Sequence, residues 1–348
     1  MASADRKRSG QHHTQAKRNR TFTLDDLYAI KEEDHERLFR RMRWPETDGE
    51  PVCPNKQCGS LDHWWLENQG RWKCKDCHKQ FSITSGSGFH HTKLSLPTLL
   101  KALRTFILGS KGNATSTLMK DVGIQYKTAY LLQQKFRDAL KGCIDEITLD
   151  GEVEIDGAWF GGYIKPENRK INRSDRRLKE NQNGKRLVVV GARERGRHGR
   201  AITRVFEQEW QSIPWLRERI DRGATVYSDE GQWDNLLASH EVLQVNHSEE
   251  YQKNGYINTN QMESLFSRLR RYEVGTHHHI SGKYLAYYAC DGTWRENNRE
   301  LDDRAKLERA LGCMMRAPPS RTFGGYYQFG ATNLWRGAED NPFAGWVQ

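Results

Sequence analysis

The chain has 348 residues, enough for two or three domains at ~100–200 residues each, so size does not exclude an enzyme. Its 55 Lys and Arg outweigh 45 Asp and Glu, and the net charge of +10 favours a polyanionic partner such as nucleic acid. No stretch approaches the ~18 apolar positions of a membrane span and no secretory core follows Met1, so a cytoplasmic protein without a membrane partner is expected.

Residues 1–22 are polar and basic without an apolar period and predict a flexible tail able to contact phosphates. Over residues 23–50, Thr23 caps a predicted helix in which Leu24, Leu27, Ile30, Leu38 and Phe39 recur at helical spacing, ending before Pro45. Residues 51–90 hold two cysteine pairs, Cys53 with Cys58 and Cys74 with Cys77, fifteen residues apart. Two close pairs across a hairpin-sized stretch bring four thiolates around one tetrahedral Zn²⁺, and a closed shell of this kind is structural. Between them His63, Trp64, Trp65 and Trp72 are expected to cover the small core of the ribbon, because so short a fold needs support.

Residues 91–148 predict three helices, Leu96–Leu108, Ala114–Lys120 and Tyr126–Leu140, with a Gly-containing turn of helix-turn-helix type before the third. Gln125, Tyr126, Lys127 and Thr128 then stand at the helix end that meets DNA in such motifs.

From Gly151 to Gly162 the residues favour a strand, and the two-residue period sets Glu152, Glu154 and Asp156 on one face. Lys165–Lys185 is a basic, aperiodic loop suited to holding phosphates. Strands at Arg186–Ala192 and Ala201–Phe206 follow, then a helix near Ile213–Ile220, a strand ending at Asp229, a helix over Trp233–Ala238 and a strand over Val242–Asn246. Three antiparallel strands followed by helix-strand alternation predict an α/β domain with a mixed sheet over residues 149–300. The helix Asn258–Arg271 turns Met262, Leu265, Phe266 and Leu269 inward and Glu263, Ser267 and Arg270 to the opposite face.

An α/β sheet is able to gather Asp156, Asp229 and Glu263. Carboxylates without His or Cys suit Mg²⁺ or Mn²⁺, and two such ions ~3.5–4 Å apart assist displacement at a phosphodiester. Arg270 faces the same way and is a candidate contact to DNA phosphate. Residues 301–348 predict a charged amphipathic helix and a Gly- and aromatic-rich tail whose role the pattern leaves open.

Read in order, Arg43-Trp-Pro, the Cys53/Cys58 knuckle, Trp72-Lys-Cys-Lys-Asp-Cys-His-Lys-Gln-Phe-Ser, Tyr126-Lys-Thr-Ala, Val153-Glu-Ile-Asp, Val245-Asn-His-Ser, Thr259-Asn-Gln-Met-Glu-Ser and Gly275-Thr-His-His-His-Ile-Ser resemble one family. It is the zinc-ribbon, ISXO-two-like (IS fifteen-ninety-five) group of insertion-sequence DDE transposases. The resemblance implies an RNase H-like catalytic domain preceded by the zinc ribbon and helix-turn-helix. It further implies metal-dependent cleavage and strand transfer on double-stranded DNA, at terminal inverted repeats and a target, with the triad carried over to Asp156, Asp229 and Glu263. Two DNA ends processed together imply a homo-oligomer, at least a dimer, acting near the bacterial nucleoid.

Three departures stand out. The first knuckle has four residues between its cysteines where two are usual, and Arg270 stands where the family usually has Lys. Asn260, one turn before Glu263, is an alternative third ligand. The contrasting expectation is a non-catalytic DNA-binding regulator derived from a transposase, although clustered carboxylates oppose phosphate rather than bind it.

Overall fold

The computed structural model describes residues 21–162, 169–172, 184–229, 233, 240–245 and 259–329. The expected basic tail, most of the loop Lys165–Lys185, the helix Trp233–Ala238 beyond Trp233, and residues 330–348 lie outside the described residues. The described chain falls into two compact units, one formed by residues up to 142 and from 298 onward, the other by residues 143–297.

The first unit starts with helix α1 (Leu24–Ala29), closed by a capping box between Thr23 and Asp26. Helix α2 (Glu32–Arg43) follows separately, since Ile30 and Lys31 are extended and interrupt the single helix expected from the spacing. Acidic Glu32, Glu33 and Asp34 in the first turn of α2 favour a fresh start there, because they complement the positive end of the helix. Strands β1 (His63–Leu66), β2 (Arg71–Cys74) and β3 (Gln80–Phe81) form a three-stranded antiparallel ribbon. Its core is Trp44, Trp72 and Phe81 against Cys53 and Cys74. Trp72 therefore covers the ribbon as expected, and the half-exposed Trp65 packs on it with ring centres 4.9 Å apart, whereas Trp64 is 47% exposed on the other side.

Helices α3 (Leu96–Leu108), α4 (Thr115–Val122) and α5 (Tyr126–Asp145) come next. Ser95 caps α3 with Pro97 in its first turn, both N-terminal signals. The α4–α5 turn depends on Gly123 at φ 77°, where its N–H returns to the Met119 carbonyl; a side chain there would strain the backbone.

The second unit is a five-stranded mixed sheet. Strands β4 (Glu152–Gly161), β5 (Arg186–Glu194) and β6 (Ala201–Phe206) are antiparallel. After helix α6 (Ile213–Arg219), strands β7 (Thr225–Asp229) and β8 (Glu241–Val245) join in parallel beyond β4, giving the order β6-β5-β4-β7-β8. Helix α7 (Asn260–Tyr272) buries Met262, Leu265, Phe266 and Leu269 with Ala158 and Val189 of the sheet. Gly191 permits this approach, because a Cβ there would lie 2.5 Å from the Met262 methyl carbon. Helix α8 (Gly282–Asn297) packs on β5 and β6.

The chain then returns to the first unit with helix α9 (Asp303–Arg316), capped by Asp302 and packed against α2 and α3, and the short helix α10 (Tyr326–Phe329) closes the described residues. No described helix is long and apolar enough to cross a membrane.

Candidate active site and metal centre

Asp156 lies mid-strand on β4, half-buried, with its Oδ1 accepting the Gly157 N–H at 2.7 Å. Asp229 ends the parallel neighbour β7, where it accepts a hydrogen bond of 3.2 Å from the Trp233 indole. Glu263 stands in the first turn of α7, exposed on the helix face that also carries Ser267 and Arg270, and Asn260 is exposed at the start of that helix.

The acids feel one another: burial first, then Asp229, and then Glu263 and Glu209 push the Asp156 carboxyl up to about 7. They are spread more widely than the thiols, since among the described residues only the four cysteines have ligand atoms all within 4.8 Å of one another. Sequence reading missed Glu209. It begins a 3-10 turn after β6, and its Oε1 lies 2.9 Å from where a Cβ on Gly157 would stand. Burial and then Asp229 push the Glu209 carboxyl up as well, against a hydrogen bond from Trp159. The one signal for it was a glycine placed directly after Asp156, which leaves room for an incoming side chain.

This repulsion has a consequence for stability. The folded Asp156 holds its proton up to about 7, while an unfolded aspartate releases it near 3.8. The folded state thus binds more protons between these values, and stability falls as pH rises through that window. At about 1.36 kcal/mol per pK step the penalty is at most about 4 kcal/mol, and screening at the exposed edge reduces it. In Mg²⁺-free buffer Asp156→Asn is therefore expected to melt higher than wild type at pH 8, with the advantage shrinking toward pH 4. An advantage that stays constant across pH would discount charge repulsion as its cause.

The four thiols converge in the ribbon. The Cys53 and Cys77 sulfurs are 3.5 Å apart and those of Cys58 and Cys74 3.6 Å apart. A tetrahedral zinc with bonds of about 2.3 Å needs sulfur separations near ~3.8 Å, so the set fits a structural zinc. Burial pushes Cys53 up to about 12, while the Lys79 backbone amide draws Cys77 down to about 6. The longer first knuckle is accommodated by a turn in which the Cys58 and Gly59 N–H groups return to the Asn55 carbonyl.

Gln125, Tyr126 and Lys127 are exposed around the N-terminus of α5, and Thr128 is partly buried. Lys127 Nζ lies 5.6 Å from the ring centre of Tyr327, so the end of the described chain borders this surface. On the ribbon, Lys73 and Lys75 approach the exposed Trp64 ring at 5.8 and 5.9 Å, making a basic aromatic face.

Two segments of the chain match known families. Residues 148–297 match the ISXO2-like transposase domain, and residues 30–80 match the transposase zinc-ribbon domain. An uncharacterised protein in the transposable element ISH50 of Halobacterium salinarum is 27% identical over 262 residues, covering 72% of this chain and 86% of that protein. No solved structure matches. The first matched segment holds Asp156, Glu209, Asp229, Glu263 and Arg270, and the second all four cysteines.

Proposed function

This chain belongs to the zinc-ribbon, ISXO2-like transposases, and from that premise we propose that it binds the terminal inverted repeats of an insertion sequence and catalyses metal-dependent DNA cleavage and strand transfer. The observation that carries the proposal is the mutual repulsion at Asp156, which Asp229, Glu263 and Glu209 heighten within the transposase domain. Such a cluster is costly beside a phosphate backbone unless cations intervene, which disfavours a purely DNA-binding role.

Mg²⁺ or Mn²⁺ bound there would supply neutralising charge and activation of the attacking oxygen. Asp156, Asp229 and Glu263 would hold the ions, with Asn260 at the start of α7 as an alternative. Arg270, exposed on the same helix face as Glu263, would hold a phosphate. One in-line site serves both reactions. Water displaces the 3′ oxygen from the end phosphodiester, and the freed 3′-hydroxyl then attacks a target phosphodiester, releasing a second 3′-hydroxyl. Bond number is conserved, and no high-energy cofactor is required. Three antiparallel strands joined by parallel β7 and β8 support an RNase H-like reading of this unit. Acting on two ends implies at least a dimer on DNA.

The α4–Gly123–α5 corner supports the helix-turn-helix reading, with Gln125, Tyr126 and Lys127 toward DNA. Lys127→Ala is expected to weaken binding to inverted-repeat and scrambled duplexes alike and to make the log affinity against log salt slope shallower by about 1. An unaltered slope would remove Lys127 from the interface. The decisive experiment incubates the protein and Mg²⁺ or Mn²⁺ with duplex carrying the repeats that flank its gene, plus a target plasmid. Joined products support the proposal; tight end binding with neither nicking nor joining in either metal points to the regulator instead.

A further inference from the structure

Helix α7 starts without a cap of its own. The side chain of its N-cap residue, Thr259, does not cap the opening amides, yet the first N–H groups of a helix need acceptors. Glu154 of β4 fills the gap: its Oε2 accepts the N–H of Gln261 at 2.8 Å and of Met262 at 3.1 Å. A carboxylate at the positive end of a helix is also favourably placed for charge.

The other oxygen continues the connection. Glu154 Oε1 accepts from Arg195 Nε at 3.1 Å, and the Arg195 guanidinium lies 3.5 Å from the centre of the Tyr227 ring. Arg195 N–H donates to the Glu152 carbonyl at 2.8 Å, and the Tyr227 hydroxyl donates to Glu152 Oε1 at 3.2 Å. Gln261 adds a further tie, because its side-chain amide can pair with the Gly196 carbonyl at 3.2 Å and its N–H at 3.1 Å. Asp156, Asp229 and Glu263 each lie within two residues of a member of this network. Glu154 precedes Asp156 by two residues on the same strand face, Tyr227 precedes Asp229 by two, and Met262 precedes Glu263 by one.

We propose that Glu154 is a positioning residue: by joining β4 to the first turn of α7 it fixes where Glu263 stands relative to Asp156 and Asp229. The inference rests on the metal-dependent transposase reading above. Glu154 is 1% exposed, and a buried carboxylate is costly unless fully paired, so an aliphatic side chain would serve packing at lower desolvation cost. What an aliphatic residue cannot do is hold two α7 amides and the Arg195 cation just beyond β5 with one rigid group. The network thereby acts like the outer hydrogen bonds that orient metal ligands, whose loss commonly weakens metal binding by about 10–100-fold.

The test compares full-length wild type, Glu154→Ala and Glu154→Gln. Hydrogen exchange over residues 259–265 reads the anchor independently of activity: faster exchange in both variants is expected, and unchanged exchange overturns the proposal. The Mn²⁺ concentration for half-maximal end cleavage is expected to rise at least about tenfold in Glu154→Ala. Glu154→Gln, whose carbonyl still accepts the amides, should fall between the two. Loss of stability alone lowers the active fraction without moving that concentration, so wild-type Mn²⁺ dependence in a folded variant also overturns the proposal. Should Glu154→Ala fail to fold, Glu154→Gln carries both readouts. A wild type that shows no Mn²⁺-dependent cleavage counts against the transposase reading, whereas the exchange result still decides the anchor.

Discussion

Alanine at Asp156, Asp229 or Glu263 is expected to reduce Mg²⁺-dependent end cleavage and strand transfer by about 10²–10³-fold or more, the scale reached when a group that stabilises transition-state charge is removed. End binding should persist, because the candidate DNA-reading residues Gln125, Tyr126 and Lys127 belong to the other unit. The three positions are not equivalent in the free protein. Asp156 bears the burial and the repulsion, so its replacement should give an inactive but more stable protein, a pairing that ordinary destabilising core substitutions do not produce. Glu263 is exposed, and its loss should leave stability nearly unchanged. Ser267→Ala, one turn along the same exposed face of α7, is the control expected to retain cleavage. Measured nicking and joining of repeat-bearing duplex decides the matter residue by residue: any of the three alanine variants that still nicks in Mg²⁺ is not a metal-holding acid. Survival of activity in Glu263→Ala together with its loss in Asn260→Ala would transfer the third position to Asn260.

Much of this site was legible because its parts have local signatures. A strand tolerating Val153 and Ile155 on one side and acids on the other reads directly as β4, and the Met262, Leu265, Phe266 and Leu269 stripe fixes the outward face of α7. The cysteine spacing likewise announces the ribbon. What stayed hidden depends on long-range contact. Glu154 looks like any residue of a solvated acidic strand face until Arg195 and the α7 amides, from distant segments, are brought to it. Glu209 follows a strand in a polar turn, and only the bare backbone of Gly157 reveals why it reaches the acids. The break between α1 and α2 was invisible to a period that runs through it, since the apolar spacing continues while Ile30 turns extended. The return of α9 to α2 and α3 has no local signal, because an amphipathic helix does not specify which surface it covers. Trp64 failed for a related reason: adjacent strand residues point to opposite sides, and Trp65 takes the side of Trp72, whose ring it meets at 4.9 Å.

Loss of zinc is expected to unfold the ribbon rather than loosen it. Three strands of four, four and two residues around Trp44, Trp72 and Phe81 make too small a core to stand alone, and structures of this size rely on metal or disulfide staples. Structural zinc typically contributes an apparent ~10–16 kcal/mol at neutral pH, well beyond what three aromatic side chains supply. Cys74 is the most telling ligand to change, since its side chain is fully buried beneath the aromatics and its N–H also closes the second knuckle on the Lys79 carbonyl at 3.0 Å. Cys74→Ser should bind less than one zinc per chain, lose the environment of Trp44 and Trp72 in tryptophan fluorescence, and bind repeat-bearing duplex at least about tenfold more weakly. The weakening follows because unfolding disperses Lys73 and Lys75 from the Trp64 face, leaving charges without a shared geometry. Acid should reproduce the effect, as protons compete for the thiolates, and the Cys77 sulfur held low by the Lys79 amide should be the last to surrender the metal. Full zinc retention with native fluorescence in Cys74→Ser would mean that the four sulfurs are packing groups, and the ribbon's stability would then have to come from α2 and α9 instead. Altered fluorescence and zinc loss accompanied by unchanged DNA affinity would separate the two roles, keeping the metal structural but removing the ribbon from end recognition.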